Sequence, residues 1–453
     1  MQPITFKAEI TALKASPEFE KRIGIWFYAT QSDGIGGTIK TIPADFFVRE
    51  VTNRTEGDNG KYLIAELTKQ NWDTHSVVRE ISNRLRVSRN RIGFAGTKDK
   101  FAVTTQKISI WDTDETELER VRITDVSLKI VGRSNKAVSL GDLYGNEFEI
   151  IIRNVEGTEE EITEKIYAIT NEIETAGGIP NFFGVQRFGI SRPITHVVGK
   201  HLIESNIKEA VLSYISDIFP EESEEAKEAR SLCKNGDLKE CLKRMPLFLR
   251  YERSMLNELV KSNSELEEIG EAQFLSAFYV LPKNLQKLFV HAYQAYLFNL
   301  ILSQRMKQNL PLNEAVVGDV VCFHNELGFA DPDRVEKVSE DKLDGINRLI
   351  KRGRAFVTVP IFGSETEFAD GAVGEIERNV FEDEKVALNN FYIEKIPEIS
   401  SKGTRRPVLV PVDVKLNEIS DDDLNTGQYK VTLQFFLPKG SYATVLLREY
   451  TKN

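Results

Sequence analysis

The sequence predicts an α+β chain in which one sheet is interrupted by an inserted domain. Three observations predict it. Short apolar segments bounded by turns, read as strands, recur between residues 36 and 111. A long, mostly helical and acidic stretch follows from about residue 190 to 270. A clear period-2 strand, Val431, Leu433, Phe435 and Leu437, then returns near the end, far from the early strands. With 453 residues the chain is long enough for two or three domains.

The elements follow in order. Gly36-Gly37 opens a turn, and Phe46-Phe47-Val48 begins a strand after Pro43. Residues 61–68 alternate as the next strand. Asp73 or Thr74 can cap a helix whose apolar face is Val77, Val78, Ile81 and Leu85. Ile92–Phe94 and Val103–Trp111 read as short strands flanking the turn at 95–102. Thr158-Glu-Glu-Glu161 is a capping box opening a helix with Ile162, Ile166, Ile169 and Ile173 on one face, stopped by Gly177-Gly178. Asn181–Ile190 is an aromatic, glycine-rich turn. Residues 284–306 form a strong helix, and 316–362 return to short strands. Gly403-Thr-Arg-Arg-Pro407 reads as a basic joint. A helical tail ends the chain after Pro438–Thr444.

Composition narrows the function. The apolar runs are far short of a membrane span, and the segment around Lys7 has no export pattern, so a cytoplasmic protein is expected. Cys233, Cys241 and Cys322 are odd in number and form no CxxC. This argues for a reducing compartment and against both a disulfide framework and a zinc cluster. The five histidines include no HExxH pair, and His196 and His201 are expected to be structural or on the surface. Gly96-Thr97-Lys98 is no P-loop: Gly93 is only three residues ahead and Asp follows the Lys. Hence neither a zinc cluster nor a nucleotide-triphosphate loop is expected.

Net charge is −10, yet the basic residues are not spread evenly. Arg79, Arg84, Arg86, Arg89, Arg91, Lys98, Lys100 and Lys107 are opposed only by Glu80 and Asp99 between 79 and 107. Local basic surface, rather than total charge, is what nucleic-acid binding requires. This stretch leads into Gly93-Phe-Ala-Gly-Thr-Lys-Asp99-Lys-Phe-Ala-Val-Thr-Thr-Gln106. An anionic oxygen held on a tight, basic turn suits a nucleophile or general base beside a polyanion. Alone, the same turn is also ordinary Lys/Asp surface chemistry. Phe182, Phe183 and Phe188, set among Gln186 and Arg187, fit either base stacking or a packed hydrophobic turn.

Six segments in order resemble the tRNA pseudouridine synthase D (TruD) family. They are Ile39–Phe46, Phe94–Lys100 with Val103 and Gln106, Gly145–Phe148, Asn181–Gly189, Gly403–Pro407 and Leu437–Thr444. The resemblance implies a mixed-sheet pseudouridine-synthase core. Residues 1–180 and 406–453 would form it, with a family-specific domain inserted over 181–405. It implies an isomerase that flips a uridine, breaks its N1–C1′ bond and rejoins the base through C5, needing no metal, organic cofactor or nucleotide cofactor. The usual target is uridine 13 of tRNA. Asp99 matches the essential aspartate. Phe46, Asn146, Phe148 and Tyr442 would bind the uracil, with Tyr442 where the family can carry Phe, and Lys40 would lie near the carboxylate. Arg79, Arg84, Arg86, Arg89, Arg91, Lys98, Lys100 and Arg187 would hold RNA phosphates. The expected partner is tRNA, with other RNAs open, and the expected state is a monomer with no membrane contact. A non-catalytic tRNA-binding or RNA-remodelling protein on the same scaffold is the alternative.

Overall fold

The computed structural model describes residues 13–261 and 266–453; Lys7 lies outside them. Following the chain, Phe46–Val51 is β1 and Tyr62–Gln70 is β2. Helix α1 (Thr74–Leu85) follows, then β3 (Ile92–Phe94), β4 (Val103–Trp111), β5 (Val126–Ser134) and β6 (Gly145–Val155). Asp73 caps α1 by accepting from Ser76 N, which settles between the two candidate caps. Helix α2 (Glu159–Ala176) has the predicted capping box and buries the four predicted isoleucines, ending at the left-handed Gly177.

A run of helices comes next: α3 (Thr195–Ile203), α4 (Ile207–Ser216), α5 (Glu224–Lys234), α6 (Leu238–Arg244), α7 (Arg250–Val260), α8 (Glu271–Tyr279) and α9 (Lys283–Lys307). Then come β7 (Val320–His324), β8 (Ala330–Lys337), α10 (Leu343–Lys351), β9 (Ala355–Ile361), α11 (Gly371–Glu384) and β10 (Thr404–Pro407). The chain closes with β11 (Val414–Asp421), β12 (Tyr429–Pro438) and α12 (Ala443–Thr451).

The described chain divides into two compact units. One comprises residues 29–179 and 410–453, the other residues 13–28 and 180–409. The segment 13–28 therefore groups with the helical unit, whereas the sequence reading placed it in the core. Its carbonyls explain why: those of Ile23 and Gly24 accept from Asn299 and Ser303 of α9.

In the first unit a nine-stranded mixed sheet runs β11-β12-β6-β1-β4-β2-β5, with β3 on β4 and a two-residue strand, Thr38–Ile39, on β6. Only the β1–β4 pair among these is parallel. Val77, Val78 and Ile81 of α1 pack on Leu63, Ala65 and Leu67 of β2 and on Ile108 and Ile110 of β4. This period-2 face meeting a period-3.6 face is the core that the sequence spacing anticipates.

In the second unit, α9 is buried almost all round and packs against α3 and β9. Gly199 allows the helix contact: a Cβ there would stand 2.1 Å from Phe289 O. Four antiparallel strands, β8-β7-β9-β10, form its sheet. Thus Gly403–Pro407 is not a joint but leads into a sheet strand. Arg405 is tied to Thr358, and Arg406 sits over the Phe183 ring at 4.2 Å. Cys233 and Cys241 are disulfide-bonded, which corrects the expectation of unpaired thiols. Their spacing of eight spans the α5–α6 turn, placing both buried cysteines between the two helices with Cα atoms 5.3 Å apart. Among the described residues no helix is long and apolar enough to cross a membrane.

A buried ion network braces the first unit. Arg153 of β6 donates to Asp45 (2.8 Å), Asp422 (2.7 Å) and Asp423 (2.9 Å). Burial opposes charge at Asp422, but bonds from Asn425, Leu424 N, Asn154 N and Arg153 outweigh it and hold its carboxyl below the ordinary range. Lys430 and Arg153 likewise bring Asp423 down to about 2. We expect Arg153→Met to cost about 3–5 kcal/mol in a urea titration, because it strands buried carboxylates. A depressed carboxyl pKa adds stability above the unfolded value that is lost as pH falls. The wild-type unfolding midpoint should therefore drop below about pH 4, and the variant should show less of that drop.

Candidate active site

The Asp99 loop, residues 95–102, is fixed at nearly every step by its surroundings. Gln106 Nε2 of β4 donates to Gly96 O (3.0 Å). Thr74 Oγ1, at the start of α1, accepts from Lys98 N (2.9 Å). Lys69 Nζ of β2 donates to Asp99 O (2.8 Å) and to Trp72 O (2.6 Å). Ala102 O accepts from Asn71 N, and Ala95 O from Gly141 N. A loop so held on a rigid sheet presents its side chain with little freedom.

That side chain is Asp99. Its carboxylate is about half exposed and accepts from Lys40 Nζ at 2.5 Å. Lys40 has a left-handed backbone (φ 60°), uncommon for a residue with a side chain. It lies between the Thr38–Ile39 strand and the Pro43–Asp45 turn. Asp45 locks this turn by accepting from Ile42 N and from Arg153. The Lys40 ammonium also sits 4.0 Å from the centre of the Phe46 ring. The Arg153 network thus fixes the turn that follows the cation facing Asp99.

The proposed uracil-binding residues divide into two groups. Asn146 lies near the start of β6, opposite Glu50 of β1 and Leu437 of β12. Its Oδ1 is buried and has no hydrogen-bond partner among the described residues. Pro438, the last residue of β12, pairs with Gly145, and Tyr442 follows as the cap residue of α12, half-buried. Phe46 and Phe148 are instead core residues, only 3% and 8% exposed. Phe148 stacks on Phe435 and meets Phe46 edge-on. They support the site from below because both belong to the inward-facing period of their strands.

The cation set also needs correction. The Lys98 ammonium is buried against Glu50 at 2.8 Å, so it is closed to phosphate. Arg91 donates to Trp111 O and Asp112 O, holding a strand end. Arg89 contacts His75 Nδ1 at 2.6 Å, and Arg84 pairs with Glu80 one helical turn away. Arg79, Arg86 and Lys100 are exposed, and their side chains make no hydrogen bond or ion pair among the described residues. Arg187 belongs to the other unit, beside the Phe183 ring. There Phe182, Phe183 and Phe188 are buried, so the packed hydrophobic turn is the correct reading of Asn181–Gly189. Asn299 of α9 accepts from Phe183 N and donates to Phe183 O, tying that turn down.

Sequence reasoning missed Glu50, Thr74 and Lys69. Each is a polar residue at an inward position beside the loop, and that placement is the only signal they carry.

A half-exposed carboxylate paired to a lysine, on a loop pinned to a mixed sheet, defines a site for acid–base or nucleophilic chemistry in a two-unit α+β protein. The family model for "tRNA pseudouridine synthase D (TruD)" matches residues 22–450. A "Probable tRNA pseudouridine synthase D" of Methanosarcina mazei is 52% identical over 437 residues, covering 96% of this chain and 98% of that protein. Its counterpart in Halobacterium salinarum is 38% identical over 456 residues, covering 97% and 99%. A crystal structure from M. mazei, described as TruD, superposes with a TM-score of 0.85 at 51% identity, covering 97% of this chain and 98% of its own. This chain belongs to the tRNA pseudouridine synthase D family, and is accordingly an enzyme of the isomerase class.

Because the Lys98–Glu50 pair is buried, Lys98→Met should destabilise the protein by about 3 kcal/mol. The salt dependence of its tRNA affinity should stay that of wild type. Thermal melts with filter-binding titrations check both.

Proposed function

We propose that this protein converts uridine 13 of tRNA to pseudouridine, with Asp99 as the reacting group. The Lys40–Asp99 ion pair at 2.5 Å carries the reading, because it holds one carboxylate oxygen and leaves the half-exposed group open to a substrate. In the reaction the N1–C1′ bond breaks and the base turns while bound. C1′ then bonds to C5, the C5 proton leaves and N1 takes a proton, so the atoms balance as an isomerisation. Asp99 would either attack C1′ or the base, or assist loss of the C2′ proton to give a glycal. Lys40 stabilises the carboxylate and orients it.

The flipped base must regain the stacking and hydrogen bonds it gives up. Asn146 has an amide whose oxygen lacks a partner among the described residues, suited to the N3–H and carbonyl edge of uracil. Tyr442 offers a ring for stacking. Arg79 of α1, Arg86 just past its end and Lys100 of the loop form the cation set open to phosphates.

Pseudouridine mapping on an unmodified tRNA transcript tests the proposal. Wild type should give product at position 13, absent with Asp99→Asn although that variant still binds tRNA. Product at another position would refute the choice of uridine, and product with Asp99→Asn would refute the role of Asp99. Tight binding with no product from wild type would favour the non-catalytic alternative.

Replacing Arg79, Arg86 and Lys100 together with Gln should flatten the plot of log affinity against log salt by about 2–3 units. Arg91→Gln should leave that slope unchanged and lower the melting temperature. Equal slopes in wild type and the triple variant would place the docking surface elsewhere.

A further inference from the structure

Lys69 is fully buried at 0% exposure, on the inward face of β2 one pleat beyond Leu67. A buried ammonium is costly, and an apolar side chain of similar length would fill the same space without that penalty. Among the described residues Lys69 pairs with no carboxylate. Its two hydrogen bonds go to main-chain carbonyls, and one of them is the carbonyl of Asp99. Two lysines thus hold the two ends of one residue: Lys40 the carboxylate, Lys69 the backbone.

We propose that Lys69 is a positioning residue for the reaction, whose ammonium fixes the Asp99 main chain and supplies a buried positive charge to the loop. This rests on the reading of Asp99 as the reacting group.

The charged groups around Lys69 come from two neighbouring elements. Asp99 and Lys98 face it from the loop, and Asp73 from the cap of α1. Thr104, opposite it on β4, is uncharged, and its buried hydroxyl has no partner among the described residues. Burial pulls the Lys69 ammonium down to about 8, with Lys98 adding to the effect and Asp99 and Asp73 opposing it. A neutral amine keeps two N–H groups, enough for both carbonyls. Deprotonation therefore removes the charge rather than the bonds. The loop survives, while the field at Asp99 changes as the pH rises through about 8.

Single-turnover rates at saturating enzyme, from pH 6.5 to 9.5, provide the test. Wild type should lose about tenfold between pH 7 and 9, following one ionisation, with tRNA affinity nearly constant. In Lys69→Arg, whose guanidinium stays charged, that alkaline decline should vanish. In Lys69→Met the rate at pH 7 should fall about 10- to 100-fold, because the loop shifts, and the decline should again vanish. Ionisation of uridine N3 would leave the same decline in every variant, so its persistence in Lys69→Arg overturns the proposal. A flat wild-type profile to pH 9 does the same. If Lys69→Met does not fold, as judged by circular dichroism, the wild-type and Lys69→Arg profiles decide. Asp99→Asn is measured alongside. Activity in it refutes the underlying reading; an inert Asp99→Asn beside wild-type-like Lys69 variants refutes only this inference.

Discussion

The sheet that carries the site depends on one buried guanidinium. Arg153 joins Asp45, more than 100 residues earlier, to Asp422 and Asp423, about 270 residues later. These contacts tie together segments that the chain separates by more than 200 residues. Hydrophobic pairing alone would bring β12 beside β6, since Leu433 and Phe435 face Ile150 and Phe148. Hydrogen-bonded charge adds direction to that pairing, because a carboxylate left buried without its partner is costly. The same network sets the Pro43–Asp45 turn and, through it, the strained backbone at Lys40. Fold stability and site geometry are therefore coupled at Asp45.

The Asp99 loop applies the same logic on a smaller scale. Its flexibility is removed by side chains reaching its backbone from three elements: Lys69 from β2, Thr74 from α1 and Gln106 from β4. None of them needs to touch a substrate. Their effect is to fix where one carboxylate stands before RNA arrives, which lowers the ordering cost of reaction. Of the cations that crowd this stretch, Lys98 and Arg91 are spent on structure. The surface left for phosphate is narrower than the sequence suggests.

How far the sequence could be read follows from what each residue type signals. Period-2 and period-3.6 spacing locate β2, β4, β12, α1 and α2 within a few residues, since burial writes itself into apolar spacing. The Asp99 turn stands out because glycine and charge are concentrated there. Lys69 and Lys98 escape because a lysine is ordinarily a surface residue, and nothing local marks these two as buried. The aromatic turn at 181–189 is ambiguous for a related reason: rings that stack on bases and rings that pack in a core have the same composition. Only contact with α9 separates the two. The disulfide is hidden by an odd cysteine count, and appears once α5 and α6 fold back on each other. Helix α10 has a clear helical spacing in Leu343, Ile346, Leu349 and Ile350, but it is only nine residues long and lies inside a stretch whose strands and turns dominate the reading.

The Asp99 carboxylate either performs bond chemistry or merely faces RNA. Tritium release from C5-labelled uridine in tRNA, followed in a single turnover with enzyme in excess, separates the two most directly. If Asp99 performs the chemistry, wild type releases tritium and Asp99→Asn loses at least about a thousandfold in rate, with tRNA affinity held within a few-fold. Release by Asp99→Asn at a rate near that of wild type would contradict that role.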